Sequence, residues 1–126
     1  MRNMSPSAIA FRAMRWPCEN AGTATVPPKE INVPLLPDAQ PLLLTGSSPA
    51  VLLIHGFTGT QCSMKPWAGY LDDEAGLTVS VPRLPGHGTS WQEMNKTTWN
   101  DWYAEADRAL RQLQASHEKV FVFGLS

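Results

Sequence analysis

The 126-residue sequence is poor in cysteine, and it carries no excess of charge of either sign. Its two cysteines, Cys18 and Cys62, match neither a metal-ligand spacing nor a redox pair. A disulfide scaffold has no support, so we expect both residues to be free thiols in the reducing cytoplasm. The formal net charge is only −1. No nucleic-acid or charged membrane partner is therefore expected.

Long hydrophobic runs are absent as well. No stretch approaches the roughly 18 consecutive apolar residues of a membrane span, so no stable membrane anchor is expected. Near the start, Ala8 to Phe11 is too short for the apolar region of a secretory signal, and Arg12 interrupts it. The absence of acidic residues before Glu19 gives this stretch a faint likeness to a transit peptide. We interpret it instead as an irregular extension or a start codon placed too early.

Proline becomes scarce after residue 50. Eight of the eleven prolines precede Ala50, which divides the chain into a Pro-rich irregular extension, residues 1–37, and a domain portion, residues 38–126. At 43% hydrophobic and 17% charged, the composition is that of a globular protein. A short strand at residues 41–45 and a turn at residues 46–49 predict an early hairpin with the strand that follows.

From Ala50 onward, short apolar strands alternate with amphipathic helices, which predicts an α/β fold with a mostly parallel sheet and helices on both faces. The predicted strands are Ala50–Ile54, Leu77–Val81 and Val120–Phe123. Ser63 is expected to cap the first helix, and Gly76 to end it. A capping pair, Thr98 and Asp101, begins the second helix. Its apolar stripe is expected to face the sheet and comprises Trp99, Trp102, Tyr103, Ala106, Ala109, Leu110 and Leu113.

The last three residues carry the first chemical signal. A strand that ends in Gly124-Leu125-Ser126 is the first half of the Gly-x-Ser-x-Gly nucleophile elbow, a sharp turn that lifts the serine hydroxyl above the sheet edge. Gly124 has no Cβ to obstruct that turn. By itself, however, Gly-x-Ser is common and often marks an ordinary turn at the end of a strand.

The second signal follows the earlier strand, at His55-Gly56-Phe57-Thr58-Gly59. Enzymes with a nucleophile elbow place a turn here whose backbone N–H helps to form the oxyanion hole. Phe57 is the predicted donor, through its backbone N–H. Gly56 and Gly59 would keep side chains away from the path of the substrate.

In order and spacing, four segments resemble the bacterial carboxylesterase and monoacylglycerol lipase branch of the α/β-hydrolase superfamily. They are VLLIHGFTG (51–59), VPRLPGHGTS (81–90), DWY (101–103) and VFVFGLS (120–126). The resemblance implies the N-terminal part of an α/β-hydrolase fold that stops after the nucleophile strand, with a cap inserted later in the chain. It also implies that Ser126 is the nucleophile, that Phe57 is the oxyanion donor, and that the substrate is a small-molecule ester or monoacylglycerol.

In such hydrolases the acid and the histidine of the triad follow the serine in the chain, so neither is expected among these residues. We therefore expect residues 1–126 by themselves to be inactive. His55 and His87 are interpreted as residues that order loops through hydrogen bonds to nearby backbone. No cofactor is expected, and a metal role for His55, His87 and Cys62 lacks the ligand spacing of a metalloenzyme.

The sequence is also compatible with other functions. A dehalogenase of this fold would carry aspartate in place of Ser126, which argues against that chemistry. Lactonases, peroxidase-like enzymes and carbon–carbon bond hydrolases also use serine and remain possible. A non-catalytic binding or structural module is the alternative from a different class, since fold alone does not prove activity. An aspartate and a histidine after later strands would favour the enzyme.

Overall fold

The structure is a computed structural model and describes residues 35–126. The elements in chain order are β1 (Leu42–Leu44), β2 (Ser47–Ile54), a 3₁₀ helix (Gln61–Met64), α1 (Lys65–Ala75), β3 (Leu77–Val81), α2 (Trp91–Met94), α3 (Trp99–Gln114) and β4 (Val120–Gly124). Most of the predicted extension, together with Cys18, lies outside the described residues. The boundary between residues 37 and 38 stays a prediction.

The four strands form one sheet in the order β1-β3-β2-β4. Strand β2 lies parallel to both β3 and β4, and β1 is antiparallel to β3. This confirms the predicted α/β class with its mostly parallel sheet. All three predicted strands are present, and the first of them begins earlier than predicted, at Ser47. Within residues 35–126, no helix is long and apolar enough to cross a membrane.

The predicted early hairpin is wrong, because β3 lies between β1 and β2 in the sheet. The segment that joins β1 to β2 forms hydrogen bonds with β3 instead. The Thr78 hydroxyl accepts the N–H of Gly46 at 3.0 Å and donates to the Gly46 carbonyl at 2.9 Å. Leu42 and Leu44 also pack against the apolar cluster between α1 and the sheet. The pairing of β1 with β3 brings these two side chains to that cluster.

The sheet buries a different set of β2 side chains on each face, because successive residues of a strand point to opposite sides. Val51 and Leu53 face α1, while Ala50 and Leu52 face α3. The α1 cluster is completed by Met64, Ala68, Val79 and Val81, and the α3 cluster by Ala109 and Leu113. Burying one large apolar side chain contributes about 1.5–3 kcal/mol, so these two clusters supply the main attachment of the helices.

Helix α1 begins differently from the prediction. The Thr60 hydroxyl caps the preceding 3₁₀ helix by accepting the N–H of Cys62 at 3.3 Å. Ser63 lies inside that 3₁₀ helix and is not the cap of α1, whose N-cap position is Met64. The Ser63 hydroxyl donates to the Thr60 carbonyl at 2.7 Å. Pro66 lies in the first turn of α1, where its missing N–H costs little. Gly76 ends the helix in the left-handed conformation with φ of 59°, which glycine adopts without strain.

Helix α3 begins as predicted. The Asp101 carboxylate accepts the backbone N–H of Thr98 at 2.7 Å and the Thr98 hydroxyl at 2.8 Å. The bond from the backbone N–H of Thr98, followed by that from its hydroxyl, lowers the pKa of Asp101 below its ordinary value. The carboxylate of Asp101 is therefore ionised at neutral pH and satisfies a donor that the helix leaves open.

The predicted stripe of α3 is only partly correct. Ala109 and Leu113 are buried, but Trp99 and Tyr103 are 67% and 65% exposed, and their rings contact each other. At 3.6 residues per turn, Trp102 is aligned with Ala109 and Leu113, whereas Tyr103 lies on the flank of the helix. The apolar stripe in the sequence is therefore wider than the part that reaches the sheet.

The prediction of a free thiol at Cys62 is also wrong. Cys62 is buried and takes part in a disulfide bond. The only other cysteine of the sequence, Cys18, lies outside the described residues. Spacing along the chain cannot detect such a bond, because a disulfide depends on distance in space. The expectation of a reducing cytoplasmic setting loses the support that free thiols would have given it.

Candidate active site

The two chemical signals of the sequence lie at one edge of the sheet. Strands β2 and β4 are parallel neighbours, with Ile54 opposite Gly124. The N–H of Leu125 donates to the Ile54 carbonyl at 2.9 Å, which extends the pairing by one bond. Both loops therefore leave from carboxyl ends of adjacent strands, where open α/β sheets place their ligands.

Gly56 is the point of closest approach between the two loops. A Cβ built on Gly56 would lie 2.9 Å from the Leu125 carbonyl oxygen and 3.5 Å from the Ser126 carbonyl carbon. Any other residue would push against backbone that cannot yield as a flexible side chain does. A glycine is therefore required if the Phe57 loop is to lie directly beside the segment that contains Ser126.

The loop after Gly56 is a tight turn. The N–H of Gly59 donates to the Gly56 carbonyl at 3.0 Å, and Thr58 has a left-handed φ of 62°. Such a conformation costs a β-branched residue roughly 1–3 kcal/mol, so it persists only where the surroundings hold it. Within the described part of the chain, the N–H of Phe57 has no hydrogen-bond partner. That N–H is therefore available to a ligand.

His55 holds the start of this loop. Its Nε2 accepts the backbone N–H of Leu84 at 3.2 Å, so Nε2 carries no proton. The proton is then on Nδ1, which donates to the Gly56 carbonyl at 3.1 Å. Burial is the main cause that lowers the pKa of His55, and the nearby His87 and Arg83 lower it further. The prediction that His55 orders a loop through backbone bonds is confirmed.

His87 has the same kind of role in the loop after β3. Its Nδ1 lies 3.1 Å from the Pro85 carbonyl, and the Arg83 guanidinium donates to the His87 carbonyl at 3.1 Å. The side chain is buried, and its Nε2 has no partner among residues 35–126. The predicted loop-ordering role is confirmed for His87 as well.

Four rings connect these loops to α3. Ring centroids lie 5.0 Å apart for His55 and His87, 5.2 Å for His87 and Trp102, and 5.6 Å for Phe57 and Trp102. The indole N–H of Trp102 lies 3.1 Å from the Pro85 carbonyl and 2.9 Å from the Thr97 hydroxyl. The apolar stripe of the sequence predicted Trp102 as a core residue and gave no indication of its contact with Phe57. Its place in the DWY segment was the available signal.

Residues 35–126 contain no group of three or more histidine, cysteine, aspartate or glutamate side chains that could hold a metal ion. Ser126 follows β4 and is exposed. The roles assigned to Ser126 and to the N–H of Phe57 stay predictions.

An open, mostly parallel sheet, in which the strand that enters a Gly-x-Ser turn lies beside the strand that enters a His-Gly loop, is the arrangement of the α/β-hydrolases. Residues 35–126 have the architecture of part of an α/β-hydrolase fold.

Sequence comparison finds relatives that are an esterase and a lipase. Over 93 residues it is 43% identical to the thermostable monoacylglycerol lipase of Bacillus sp. (strain H-257), an alignment that covers 74% of this chain and 37% of the lipase. Over 88 residues it is 33% identical to a carboxylesterase of Bacillus subtilis (strain 168), with 69% and 35% covered. No protein-family model matches the sequence.

Structural comparison agrees. A solved structure from work on LipS and LipT, two metagenome-derived lipolytic enzymes, superposes on this chain with a TM-score of 0.68 at 43% sequence identity. The match covers 74% of this chain and 38% of the solved one. The chain thus spans little more than a third of the length of the relatives that it matches. The family predicted from the four sequence segments is confirmed.

Proposed function

We propose that the protein is a serine hydrolase of carboxylic esters, in which Ser126 attacks the ester carbonyl, an acyl-enzyme forms, and water releases the acid. The observation that carries the proposal is the pairing of β2 with β4, which brings Gly56 against the Leu125-Ser126 backbone. A nucleophile and an oxyanion-hole donor must both lie within bonding distance of one carbonyl group, and this pairing supports such an arrangement.

The proposed donor is the backbone N–H of Phe57. Negative charge develops on the ester carbonyl oxygen as the tetrahedral intermediate forms, and a fixed N–H stabilises it without reorganisation. The N–H of Phe57 has no partner within residues 35–126, which leaves it free for this purpose. In this fold the second donor is the N–H of the residue after the nucleophile.

The general base is proposed to lie after Ser126 in the chain, together with its acid, as the order of the family implies. The contacts of the two nearby histidines support this. Both nitrogens of His55 are occupied, one by the N–H of Leu84 and one by the Gly56 carbonyl. His87 is buried, with Nδ1 at the Pro85 carbonyl. His55 therefore has no nitrogen left to accept the serine proton, and His87 precedes the serine in the chain, contrary to the order of the family. We therefore propose that residues 1–126 alone are inactive.

The proposed substrate is a small-molecule carboxylic ester, with monoacylglycerol as one candidate. The names of the two relatives, a monoacylglycerol lipase and a carboxylesterase, support this class. The exposed ring of Phe57 offers an apolar surface beside the proposed oxyanion donor, which suits an acyl chain. Each proposed step uses only protein groups and water.

The test is hydrolysis of p-nitrophenyl esters of short and medium chain length by the protein expressed over its whole open reading frame. We expect turnover, and covalent labelling by a fluorophosphonate that disappears in Ser126→Ala. The matched control is Ser116→Ala, because the exposed Ser116 follows α3 close to Lys119, which bonds to Ala50 near the opposite edge of the sheet. Equal labelling of the Ser126→Ala variant would show that another residue is the nucleophile. A folded but inactive protein would favour a non-catalytic binding module.

A further inference from the structure

The ring of Phe57 contacts two other aromatic rings although it is largely exposed. It is 67% accessible, yet its centroid lies 5.6 Å from that of Trp102 and 6.3 Å from that of His87. These are ordinary separations for interacting aromatic rings. The proposed role of Phe57 belongs to its backbone N–H. Because the ring and this N–H are parts of one residue, contacts that hold the ring also restrict the orientation of the N–H.

Trp102 is itself firmly anchored. Its indole N–H is directed at the Pro85 carbonyl and at the Thr97 hydroxyl, and that hydroxyl in turn donates to the Met94 carbonyl at 2.7 Å. The Trp102 ring is further braced edge-on by His87 at 5.2 Å. One side chain of α3 therefore contacts both the loop after β3 and the loop after β2.

A second connection runs through hydrogen bonds. Trp102 and His87 both bond to the Pro85 carbonyl, and the preceding residue, Leu84, donates its N–H to His55. His55 then donates to the Gly56 carbonyl. The Gly56-Phe57 backbone is thus connected to Trp102 both by a ring contact and by a chain of hydrogen bonds.

We propose that Trp102 is a positioning residue for the oxyanion loop, which it holds through the Phe57 ring and through the Pro85–Leu84–His55 bonds. This inference rests on the proposed ester hydrolase function. The left-handed Thr58 is the reason that the loop needs such a support, because a strained turn relaxes once its surroundings loosen. A donor displaced by about 1 Å can cost on the order of 10² in rate.

The test is the steady-state kinetics of Trp102→Leu in the protein expressed over its whole open reading frame. We expect kcat to fall by about 10- to 100-fold, with KM changed by less than about threefold, because the donor acts mainly in the transition state. Trp102→Phe keeps a ring but loses both indole hydrogen bonds. Its kcat should lie between those of Trp102→Leu and the unmodified protein, at least about threefold below the latter.

The matched control is Trp99→Leu. Trp99 is in the first turn of the same helix and is 67% exposed, and its ring contacts only Tyr103 among the described rings. This substitution should leave kcat and KM unchanged. A loss in Trp99→Leu as large as that in Trp102→Leu would mean that α3 responds to any loss of tryptophan, and the proposal would be wrong.

A double-mutant cycle with Phe57→Ala separates positioning from general destabilisation. If Trp102 acts through the Phe57 ring, Trp102→Leu should cost clearly less in the Phe57→Ala background than in the unmodified protein. Additive losses would overturn the ring contact as the route. Should Trp102→Leu not fold by circular dichroism, Trp102→Phe decides the question, and an unchanged kcat in that variant would overturn the proposal. Inactivity of the unmodified protein would instead refute the proposed function itself.

Discussion

His55 shows how one residue can be restricted to a single protonation state by its neighbours. A backbone N–H can only donate, so the Leu84 N–H requires an unprotonated Nε2 on His55. Protonation would leave two donors facing each other in a buried place. Burial lowers the pKa of His55 below its ordinary value of 6.5, consistent with this geometry.

The consequence is a pH dependence of stability. The folded protein resists protonation of His55, whereas the unfolded chain accepts a proton near pH 6.5. The stabilising contribution is therefore complete above that pH and is lost as the pH falls below 6.5 toward the lowered pKa of the folded state. We expect the free energy of unfolding, measured with urea between pH 5 and 8, to decline on acidification less steeply for His55→Gln than for the unmodified protein. Parallel curves for the two proteins would contradict this account.

Phe57 is predicted to act through its backbone, which gives two substitutions opposite outcomes. Phe57→Leu retains the N–H and should keep at least about a tenth of the activity, since a misplaced donor costs less than a missing one. Phe57→Pro deletes the N–H and should lose on the order of 10²–10³ in kcat. Circular dichroism must show that both variants are folded. Equal activity of the two folded variants would remove Phe57 from the oxyanion hole.

At the scale of elements, the junction between the β2 and β4 loops depends on close backbone contact. Gly56 lies against the Leu125 carbonyl, where a Cβ would be 2.9 Å away. In α1, by contrast, a Cβ built on Gly69 would meet nothing within 4 Å. The two glycines therefore serve different purposes, one for close packing of backbones and the other for no purpose that the structure reveals.

Alanine substitution at these two glycines should separate the junction from the helix. Gly69→Ala should raise the free energy of unfolding by about 0.5–1 kcal/mol, because glycine is a poor helix former. Gly56→Ala should lower kcat at least tenfold, since the Phe57 loop must move away from the Ser126 segment by a few tenths of an ångström or more. The measurements are urea unfolding and esterase kinetics. Full activity of Gly56→Ala would show that the two loops need not touch.

At the scale of the whole molecule, the edge strand β4 carries strongly apolar side chains. Strand β4 is the last strand in the sheet order of the described residues, and it pairs only with β2. Its exposed large side chains are those of Phe121, Val122 and Phe123, followed by Leu125. A long apolar edge of this kind favours pairing with another chain.

Residues 1–126 expressed alone should therefore be catalytically silent and prone to associate. A serine without its histidine loses a factor on the order of 10⁶ in turnover in a comparable triad enzyme. The open edge of β4 should drive association, which size-exclusion chromatography would detect as a small monomeric fraction. Esterase turnover is measured on the same sample, with Ser126→Ala as the control. A soluble monomer with Ser126-dependent turnover would disprove both the proposed location of the base and the proposed role of the edge.

The sequence by itself determined the strands, the parallel α/β class and the capping pair of α3, because each depends on short-range patterns. It indicated the family through the order and spacing of four short segments. Apolar runs such as Val51–Leu53 and the Thr98–Asp101 spacing involve only a few consecutive residues. They can therefore be recognised without knowledge of the tertiary contacts. The backbone roles of His55 and His87 could also be anticipated from their place in loops.

Tertiary structure alone decided which elements meet. It placed β3 between β1 and β2, left Trp99 exposed, bound Cys62 in a disulfide and brought Trp102 to Phe57. Each of these outcomes depends on distances between residues far apart in the chain, and periodicity along the sequence carries no information about such distances. Local patterns therefore determined what each segment is, whereas packing determined which segments came into contact.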